Sequence, residues 1–296
     1  MTTVSAEDGS FTFESIPYGT WYVREIEQPD GFVLDDTIYP VTIGADGQVV
    51  EIKIVNTYVR GNIHLTKVDS EYPDNKLTGA TFEVYKDSNA NGKLDSGDEL
   101  LGTLTEKEKG EYSMNDLFHG RYFVKETKAP EGFVLDTGVY EVMIDTNGKT
   151  YEVENKAGVG FVNDAMRGNL KIVKTSSDGK VKGFAFRITG ANGYDIILET
   201  NDKGEIFIDG LRIGDYTISE VSNSASSMYV IPADKKATVK LGSTTIVEMH
   251  NVLRDTPKTG DTTNLPLLYA LAGLSAVGIA VCGVIGFKKK KKEDRN

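Results

Sequence analysis

The sequence predicts an all-β protein, in which β-sandwich domains follow one another and one C-terminal transmembrane helix comes last. Three observations support this fold class. Short runs of alternating apolar and polar residues are separated by Asp-Gly, Asn-Gly and Lys-Gly turns. One set of residues recurs three times at the same spacing. Finally, the uncharged segment 265–287 is long enough to cross a bilayer as a helix.

The recurring set is a pair of glycines ten residues apart, followed six residues later by a glutamate. An aromatic residue lies two positions after the second glycine, and an aliphatic residue lies two positions before the glutamate. The three sets are Gly9, Gly19, Trp21, Val23 and Glu25; Gly110, Gly120, Tyr122, Val124 and Glu126; and Gly204, Gly214, Tyr216, Ile218 and Glu220. Residues at i, i+2 and i+4 of a strand share one face. Because the first two are core residues, we expect each glutamate to face the core as well.

Further repeated residues mark the ends of the domains. Each repeat closes on an asparagine that is followed by an arginine, at Asn56 and Arg60, Asn163 and Arg167, and Asn251 and Arg254. The second and third repeats open on a glycine six residues before a lysine, at Gly61 and Lys67 and at Gly168 and Lys174. These marks predict domains at 1–59, 60–166 and 167–254. The first is expected to be truncated, without its opening strand, since its only lysine, Lys53, would face away from Asn56 on the same strand.

The second repeat carries the most complete motif, a box running from Tyr122 to Phe133 (YFVKETKAPEGF). This box resembles the Y-x-L-x-E-T-x-A-P-x-G-Y box of CnaB-type (SpaA-like, prealbumin-like) domains of Gram-positive pilins and adhesins. The resemblance implies Ig-like sandwiches in which a lysine and an asparagine join through an intramolecular isopeptide bond, with the glutamate as catalyst. The implied sets are Lys67, Glu126 and Asn163, and Lys174, Glu220 and Asn251. Asn155 is a rival to Asn163, although only Asn163 has the shared spacing to an arginine.

The same chemistry can be argued from burial. Desolvation lowers the pKa of a lysine, which attacks an amide only when neutral, and raises the pKa of a carboxyl group. A protonated glutamate can then donate to the asparagine carbonyl and move protons so that ammonia leaves. The alternative is that these are polar residues with satisfied hydrogen bonds in ordinary sandwiches, where no reaction takes place.

The C-terminal segment 255–296 combines four features in order. The sequence TPKTG at Thr256, Pro257, Lys258, Thr259 and Gly260 is followed by a polar spacer, the apolar segment 265–287 and the basic tail 288–296. This order resembles the LPxTG cell-wall sorting signal of Gram-positive surface proteins, with Thr256 in place of leucine. The resemblance implies cleavage by a sortase between Thr259 and Gly260. The alternative is a plain membrane anchor whose lysines stay on the cytoplasmic side.

Composition agrees with an exported surface protein. The net charge is −11, and the tail holds six basic and two acidic residues, so residues 1–287 carry −15. Such an acidic chain is not expected to bind nucleic acid. The single cysteine, Cys282, lies in the apolar segment, so we expect no disulfide outside the membrane. Residues 1–10 have no secretory signal pattern, and we therefore expect an upstream segment.

One loop has the oxygen ligands of a calcium site at EF-hand-like spacing. The candidate ligands are Asp87, Asn89, Asn91, Asp95 and Asp98, with the carbonyl of Lys93. The alternative is a polar hairpin loop composed of residues that favour turns.

Two functions remain open. The first is a structural stalk of a cell-wall-anchored adhesin or pilin subunit, attached by sortase to peptidoglycan or to another pilin. The second is a ligand-binding adhesin whose domains contact host matrix or a receptor directly. In the first case, contact with host matrix belongs to the upstream region. No pattern of a turnover enzyme or of a required cofactor is present.

Overall fold

The computed structural model describes residues 1–254, and the predicted sorting signal and transmembrane helix lie outside that range. The described residues form β-strands and loops, with one short 3-10 helix at Ala191–Gly193. None of their helices has the length and apolar character that crossing a membrane requires. The predicted all-β fold is therefore confirmed for the described part of the chain. That chain divides into two units, Met1–Ala165 and a second one that begins at Met166.

The first repeat contains one antiparallel hairpin. Strand β1 (Gly19–Val23) pairs with β2 (Tyr39–Ile43), with Gly19 opposite Ile43. Residues 10–17 and 49–57 belong to no strand. Within residues 1–254 this hairpin forms a two-stranded sheet of its own, and Trp21 is 40% exposed, whereas a core position was predicted for it.

The second repeat forms a sandwich of two sheets. Its strands are β3 (Arg60–Asp69), β4 (Thr81–Lys86), β5 (Glu99–Thr103), β6 (Thr105–Glu108), β7 (Glu111–Phe118), β8 (Gly120–Lys128), β9 (Val139–Ile144), β10 (Thr150–Glu152) and β11 (Phe161–Asn163). One sheet has the order β10-β3-β7-β6, with β11 also paired to β3, and the other has the order β5-β4-β8-β9. Alternate residues such as Leu65, Phe82 and Val124 fill the space between the sheets. Their burial explains the alternating pattern of the sequence.

The unit that begins at Met166 has the same architecture. Its strands are β12 (Arg167–Ser176), β13 (Ala185–Thr189), β14 (Asp195–Glu199), β15 (Glu205–Arg212), β16 (Gly214–Val221), β17 (Tyr229–Val230), β18 (Lys235–Val239) and β19 (Thr244–Leu253). The two sheets have the orders β15-β12-β19-β17 and β14-β13-β16-β18. Leu170, Phe186, Ile218 and Met249 are fully buried in the core between them.

In both sandwiches the opening strand pairs in parallel with the closing strand, β3 with β11 and β12 with β19. The register is also the same. The residue opposite the lysine lies two positions before the asparagine, which gives the pairs Lys67–Phe161 and Lys174–Met249. Since side chains two positions apart share a face, each lysine and its asparagine point to the same side of the sheet.

The structure explains the first glycine of the second and third recurring pairs. Gly110 has φ +71° and Gly204 φ +75°, in the region that favours glycine. Their carbonyl oxygens accept hydrogen bonds from the backbone of Lys67 at 2.7 Å and of Lys174 at 2.8 Å. A Cβ at either glycine would lie only 2.9 or 2.7 Å from the carbonyl oxygen of that lysine. The glycines therefore let the lysine strand approach closely.

Candidate functional site

The structure brings together the three residues predicted in the second repeat. Lys67 lies on β3, Asn163 on the neighbouring strand β11, and Glu126 on β8 of the opposite sheet. All three are buried, and Lys67 and Glu126 are fully shielded from solvent. The Nζ atom of Lys67 lies 4.0 Å from Oε1 of Glu126 and donates a hydrogen bond of 3.0 Å to the carbonyl of Phe161. The amine thus faces the carboxyl group inside the core.

The other oxygen of Glu126 contacts the asparagine. Oε2 accepts hydrogen bonds from Nδ2 of Asn163 at 2.7 Å and from the backbone N–H of Asp136 at 2.8 Å. The sequence predicted that the acid would donate to the asparagine carbonyl, and here the amide nitrogen faces the carboxyl instead. A carboxyl oxygen that carries no proton only accepts hydrogen bonds, and Oε2 of Glu126 accepts both of these. One carboxyl group therefore lies between the amine and the amide nitrogen.

The third repeat has a corresponding arrangement. Lys174 lies on β12, Asn251 on β19 and Glu220 on β16 of the opposite sheet. Nδ2 of Asn251 donates a hydrogen bond of 2.7 Å to Oε1 of Glu220. Nζ of Lys174 donates to the backbone carbonyl of Thr175 and lies 4.2 Å from the centre of the Phe184 ring. The two predicted sets therefore occupy equivalent places in the two sandwiches.

Both sets contain polar atoms without a partner. Within residues 1–254, the buried side-chain nitrogen and oxygen atoms that lack a hydrogen-bond partner are Glu126 Oε1, Asn163 Oδ1, Glu220 Oε2 and Asn251 Oδ1. Buried polar atoms are paired in the great majority of cases, and exceptions often mark strained or reactive groups. All four atoms belong to the residues that the sequence singled out.

Burial shifts the pKa values of the lysines and glutamates in the direction that the predicted isopeptide reaction needs. Burial lowers the pKa of Lys67 to about 8, against the opposing attraction of Glu126. Burial also raises the pKa of Glu126, although the hydrogen bond from Asn163 opposes this. The pKa of Lys174 is lowered and that of Glu220 raised, in each case mainly by burial. Both pairs are thereby biased toward a neutral amine and a protonated acid.

The rival asparagine, Asn155, has a different environment. Its Nδ2 donates to Oδ2 of Asp136 at 2.6 Å and to the carbonyl of Val162 at 2.8 Å. Its Oδ1 accepts from the backbone N–H of Val162 at 2.6 Å. Asn155 thus forms hydrogen bonds to Asp136 and to the backbone of β11, while Asn163 contacts Glu126.

Sequence reasoning gave no role to Asp136 and Tyr140. The backbone of Asp136 donates to Glu126, and its carboxylate accepts from the Tyr140 hydroxyl at 2.8 Å. The aspartate orders the loop that holds the glutamate. A signal was available, because both boxes of the form Pro-x-Gly-Phe-Val-Leu-Asp end on this aspartate, at Asp35 and Asp136.

The first repeat contains the glutamate and the asparagine without an opening-strand lysine. Nδ2 of Asn56 donates to Oε1 and Oε2 of Glu25 at 2.7 and 2.9 Å. The backbone N–H of Asp35 donates to Glu25 at 2.8 Å, and the Tyr39 hydroxyl donates to Asp35. The hydrogen bonds of the second repeat recur here around half-buried side chains.

The predicted calcium ligands lie on the loop between β4 and β5. Asp87 and Asp95 accept hydrogen bonds from backbone N–H groups of the loop, and Nδ2 of Asn91 donates to Asp95 at 2.6 Å. Carboxylate and amide oxygens suit calcium. However, no group of three or more His, Cys, Asp or Glu side chains in the described residues is placed to hold a metal ion. Calcium binding stays a prediction.

Comparison with known proteins identifies a family that this chain matches. The profile described as SpaA, prealbumin-like fold domain, matches residues 1–58, 61–157 and 168–252. The chain is 29% identical over 194 residues to the trypsin-resistant surface T6 protein of Streptococcus pyogenes serotype M6, covering 64% of this chain and 32% of that protein. It is 23% identical over 248 residues to colossin-A of Dictyostelium discoideum, covering 74% of this chain and 2% of that protein.

Among solved structures, the Bacillus anthracis TIE protein matches with a TM-score of 0.62 at 24% identity. The match covers 84% of this chain and 44% of that one, so it shows a common fold. The chain thus spans less than half the length of the T6 and TIE proteins. Because the family profile matches most of the sequence in three segments, the predicted resemblance of the repeats to SpaA-like domains is confirmed, and the chain belongs to the SpaA family of prealbumin-like fold domains.

Proposed function

We propose that this chain is the structural stalk of a cell-wall-anchored surface adhesin or pilin subunit. One autocatalytic Lys–Asn isopeptide bond stiffens each of its second and third repeats. The observation that carries the proposal is the position of Glu126, whose Oε2 accepts from the amide nitrogen of Asn163 at 2.7 Å while Oε1 lies 4.0 Å from the amine of Lys67. A carboxyl group so placed can take a proton from the nucleophile and give one to the leaving nitrogen.

The reaction follows from these contacts. Lys67 loses a proton, and its Nζ attacks Cγ of Asn163. The Nζ–Cγ bond forms, the Cγ–Nδ2 bond breaks, and Glu126 delivers a proton to Nδ2, which leaves as ammonia. The unpaired Oδ1 of Asn163 is the atom on which negative charge develops. The fold fixes the geometry, so no external enzyme is needed. Lys174, Asn251 and Glu220 act in the same way.

The bonds join the opening and closing strands of each sandwich. A force applied to the two ends of a domain then acts on a covalent bond instead of a ladder of hydrogen bonds. We place the chain at the surface of a Gram-positive cell, attached by a sortase through Thr256–Gly260 to peptidoglycan or to another pilin subunit. Family membership supports this, and a relative, the T6 protein, carries the word surface in its name. Each bond forms once, so the chain is not a turnover enzyme. With respect to the sortase, the chain is the substrate.

The test is the intact mass of the purified chain and of matched glutamate variants. The wild type should lack two ammonia molecules relative to its sequence, and Glu126→Gln and Glu220→Gln should each lack one. Glu25→Gln, in the repeat without an opening-strand lysine, is the matched control and should keep the wild-type deficit. A folded wild type of full, undiminished mass would refute the cross-links and leave direct ligand binding as the leading account.

A further inference from the structure

An open pocket of about 430 Å³ lies at the end of the second sandwich where strand β3 begins. Three parts of the chain meet there, namely the start of β3, the end of β7 and the turn between β9 and β10. Its polar side chains are Arg60, Asn62, Asn115, Asp116 and Asn147. The volume lies within the range of small-molecule sites. None of these residues takes part in the proposed cross-linking.

The end of β7 has the same backbone as the end of β15 in the third repeat. The N–H of Asp116 donates to Oδ1 of Asn62 at 3.1 Å. In the third repeat, the N–H of Gly210 donates to Oδ1 of Asn169 at 3.1 Å. The strand register shifts here in both sandwiches, which marks a β-bulge. The residue ten positions before the recurring glutamate has positive φ in all three repeats, +57° at Ser15, +63° at Asp116 and +64° at Gly210. The fold therefore fixes this backbone conformation, while the side chain varies.

Asp116 occupies a position where glycine fits better. A side chain with a Cβ is strained at positive φ, although aspartate tolerates it more readily than most residues. Gly210 shows that the sandwich does not need a carboxylate there. Bulges often direct a side chain toward a functional site, and retained backbone strain is a pointer to function. The carboxylate of Asp116 is 71% exposed and lies 2.6 Å from Nη1 of Arg60, so it is open to a ligand.

Asn147 is a second side chain that the third repeat lacks. The glycine after it, Gly148, donates from its N–H to the carbonyl of Arg60 at 2.7 Å. The third repeat has the same contact between Gly242 and the carbonyl of Arg167 at 2.9 Å, but leucine precedes that glycine. The turn therefore does not require asparagine. Oδ1 of Asn147 accepts from the N–H of Arg60 at 3.0 Å, while its Nδ2 has no hydrogen-bond partner among residues 1–254.

The charges of the pocket cancel, which limits the kind of ligand that fits. Arg60 and Asp116 neutralise each other, and the other polar side chains are asparagine amides. A charged ligand would compete with this ion pair. The amide of Asn115 has no hydrogen-bond partner within the described part of the chain, and it offers both donors and an acceptor. Hydroxyl groups also donate and accept. A neutral molecule with neighbouring hydroxyl groups therefore matches the pocket best.

We propose that this pocket binds a neutral saccharide unit, either a hexose or an N-acetylhexosamine. The carboxylate of Asp116 and Oδ1 of Asn115 accept from neighbouring hydroxyls, and Nδ2 of Asn147 donates to a hydroxyl or ring oxygen. Arg60 and Asn62 hold the bulge that presents Asp116. Such sugars occur in the glycan strands of a bacterial wall and in the glycans of a host surface. The inference goes beyond the stalk function and does not depend on the cross-links.

Saturation-transfer NMR on the purified full chain is the test, since it detects sugars that bind weakly. Chitotriose, a chain of N-acetylhexosamines, represents wall glycans, and lactose, a disaccharide of hexoses, represents host glycans. Glucuronic acid supplies a sugar with a formal charge. We expect saturation transfer to chitotriose or lactose and none to glucuronic acid. Binding should be weak, in the millimolar range, because the pocket is open and its contacts are few.

Two variants copy the third repeat into the pocket. Asp116→Gly and Asn147→Leu should each weaken sugar binding about tenfold or more, as expected when a polar contact is lost. Glycine fits the positive φ, and leucine occupies the same turn in the third repeat, so both variants should unfold within a few degrees of the wild type in calorimetry. Asp209→Ala changes the exposed counterpart of Asn115 in the third repeat and is the matched control. It should bind as the wild type does.

The other outcomes overturn the site or identify its source. Absence of transfer to both neutral sugars overturns the inference, and so does binding that persists in both pocket variants. Transfer to glucuronic acid alone overturns the neutral class of ligand. If both variants lost binding together with a large fall in unfolding temperature, the side chains would be structural and the inference would fail. Binding of chitotriose alone indicates the wall and binding of lactose alone indicates the host, and either supports the site. None of these results bears on the ammonia deficit, by which the proposed function is tested separately.

Discussion

Replacing Glu126 by glutamine should cost the second sandwich much of its stability. Glutamine has nearly the same shape and can still accept hydrogen bonds from Asn163 and Asp136, which now contact Oε2. It cannot exchange protons with Lys67, so the isopeptide bond should not form. The substitution thus removes the reaction with little change in packing.

The magnitude follows from the size of the loop that the bond closes. Lys67 and Asn163 enclose a loop of about 100 residues, and a cross-link of that length stabilises by about 5 kcal/mol in the chain-entropy description. For a domain of this size, 1 kcal/mol corresponds to about 4–8 °C in melting temperature, so the melting temperature should fall by roughly 20–40 °C. Because the amine of Lys67 stays buried without its carboxylate, the unfolding free energy of Glu126→Gln should fall by a further amount of about 1–3 kcal/mol.

Scanning calorimetry of the whole chain is the assay, with intact mass to report the bond. Lys67→Met is the companion variant, because it also prevents the bond but leaves no buried amine. The loss of stability shared by both variants measures the cross-link, and the excess in Glu126→Gln measures the unpaired lysine. Glu25→Gln should leave the transition of the second sandwich unchanged.

The reasoning would be refuted if Glu126→Gln lost the bond, as judged by mass, and yet melted within a few degrees of the wild type. The stability of the sandwich would then come from its core alone. A bond that still formed in Glu126→Gln would instead remove the glutamate from the mechanism.

Four further predictions follow from the same contacts. In chains refolded from the denatured, unreacted state, the rate of ammonia loss in the second sandwich should rise about tenfold per pH unit from pH 6 and level off near the lowered pKa of Lys67, about 8, since only the neutral amine attacks. A flat profile by intact mass would contradict this. In denaturant titrations, Gly204→Ala should lower the unfolding free energy of its sandwich by about 1–3 kcal/mol more than Gly9→Ala lowers that of the first repeat. Both glycines have positive φ, but only a Cβ at Gly204 would collide with the backbone of a lysine strand. Equal losses would argue against that contact. Glu220→Gln should be cut by trypsin faster than the wild type in a time course, since its closing strand can leave the sheet, and an unchanged half-life would count against the third-repeat bond. Calcium, titrated by calorimetry, should bind the wild type and bind more weakly to Asp95→Ala; no heat in either would exclude the loop as a calcium site.

The residues of the two buried sets could be found from the sequence because each lies at a recognisable position in the repeat. Glu126 follows an aromatic and an aliphatic residue on one strand face, and Lys67 follows a glycine at a fixed distance. Period and spacing located these residues, and the resemblance to CnaB-type domains joined them into sets. The orientation of the Asn163 amide could not be predicted, because it depends on which atoms of Glu126 and Val134 face it after folding. The exposure of Trp21 was also missed, since a strand pattern cannot show whether a second sheet covers it.

Each reactive set takes one residue from the opening strand, one from the closing strand and one from the opposite sheet. The bond can therefore close only after the chain has been made as far as its last strand and both sheets have docked. Strands so distant in sequence are slow to find each other, and unfolding would ordinarily reverse the search. The proposed covalent step would make it irreversible. Each ammonia lost would then be a permanent record that one sandwich had completed its fold, and a misfolded copy, still at full mass, would remain open to proteases.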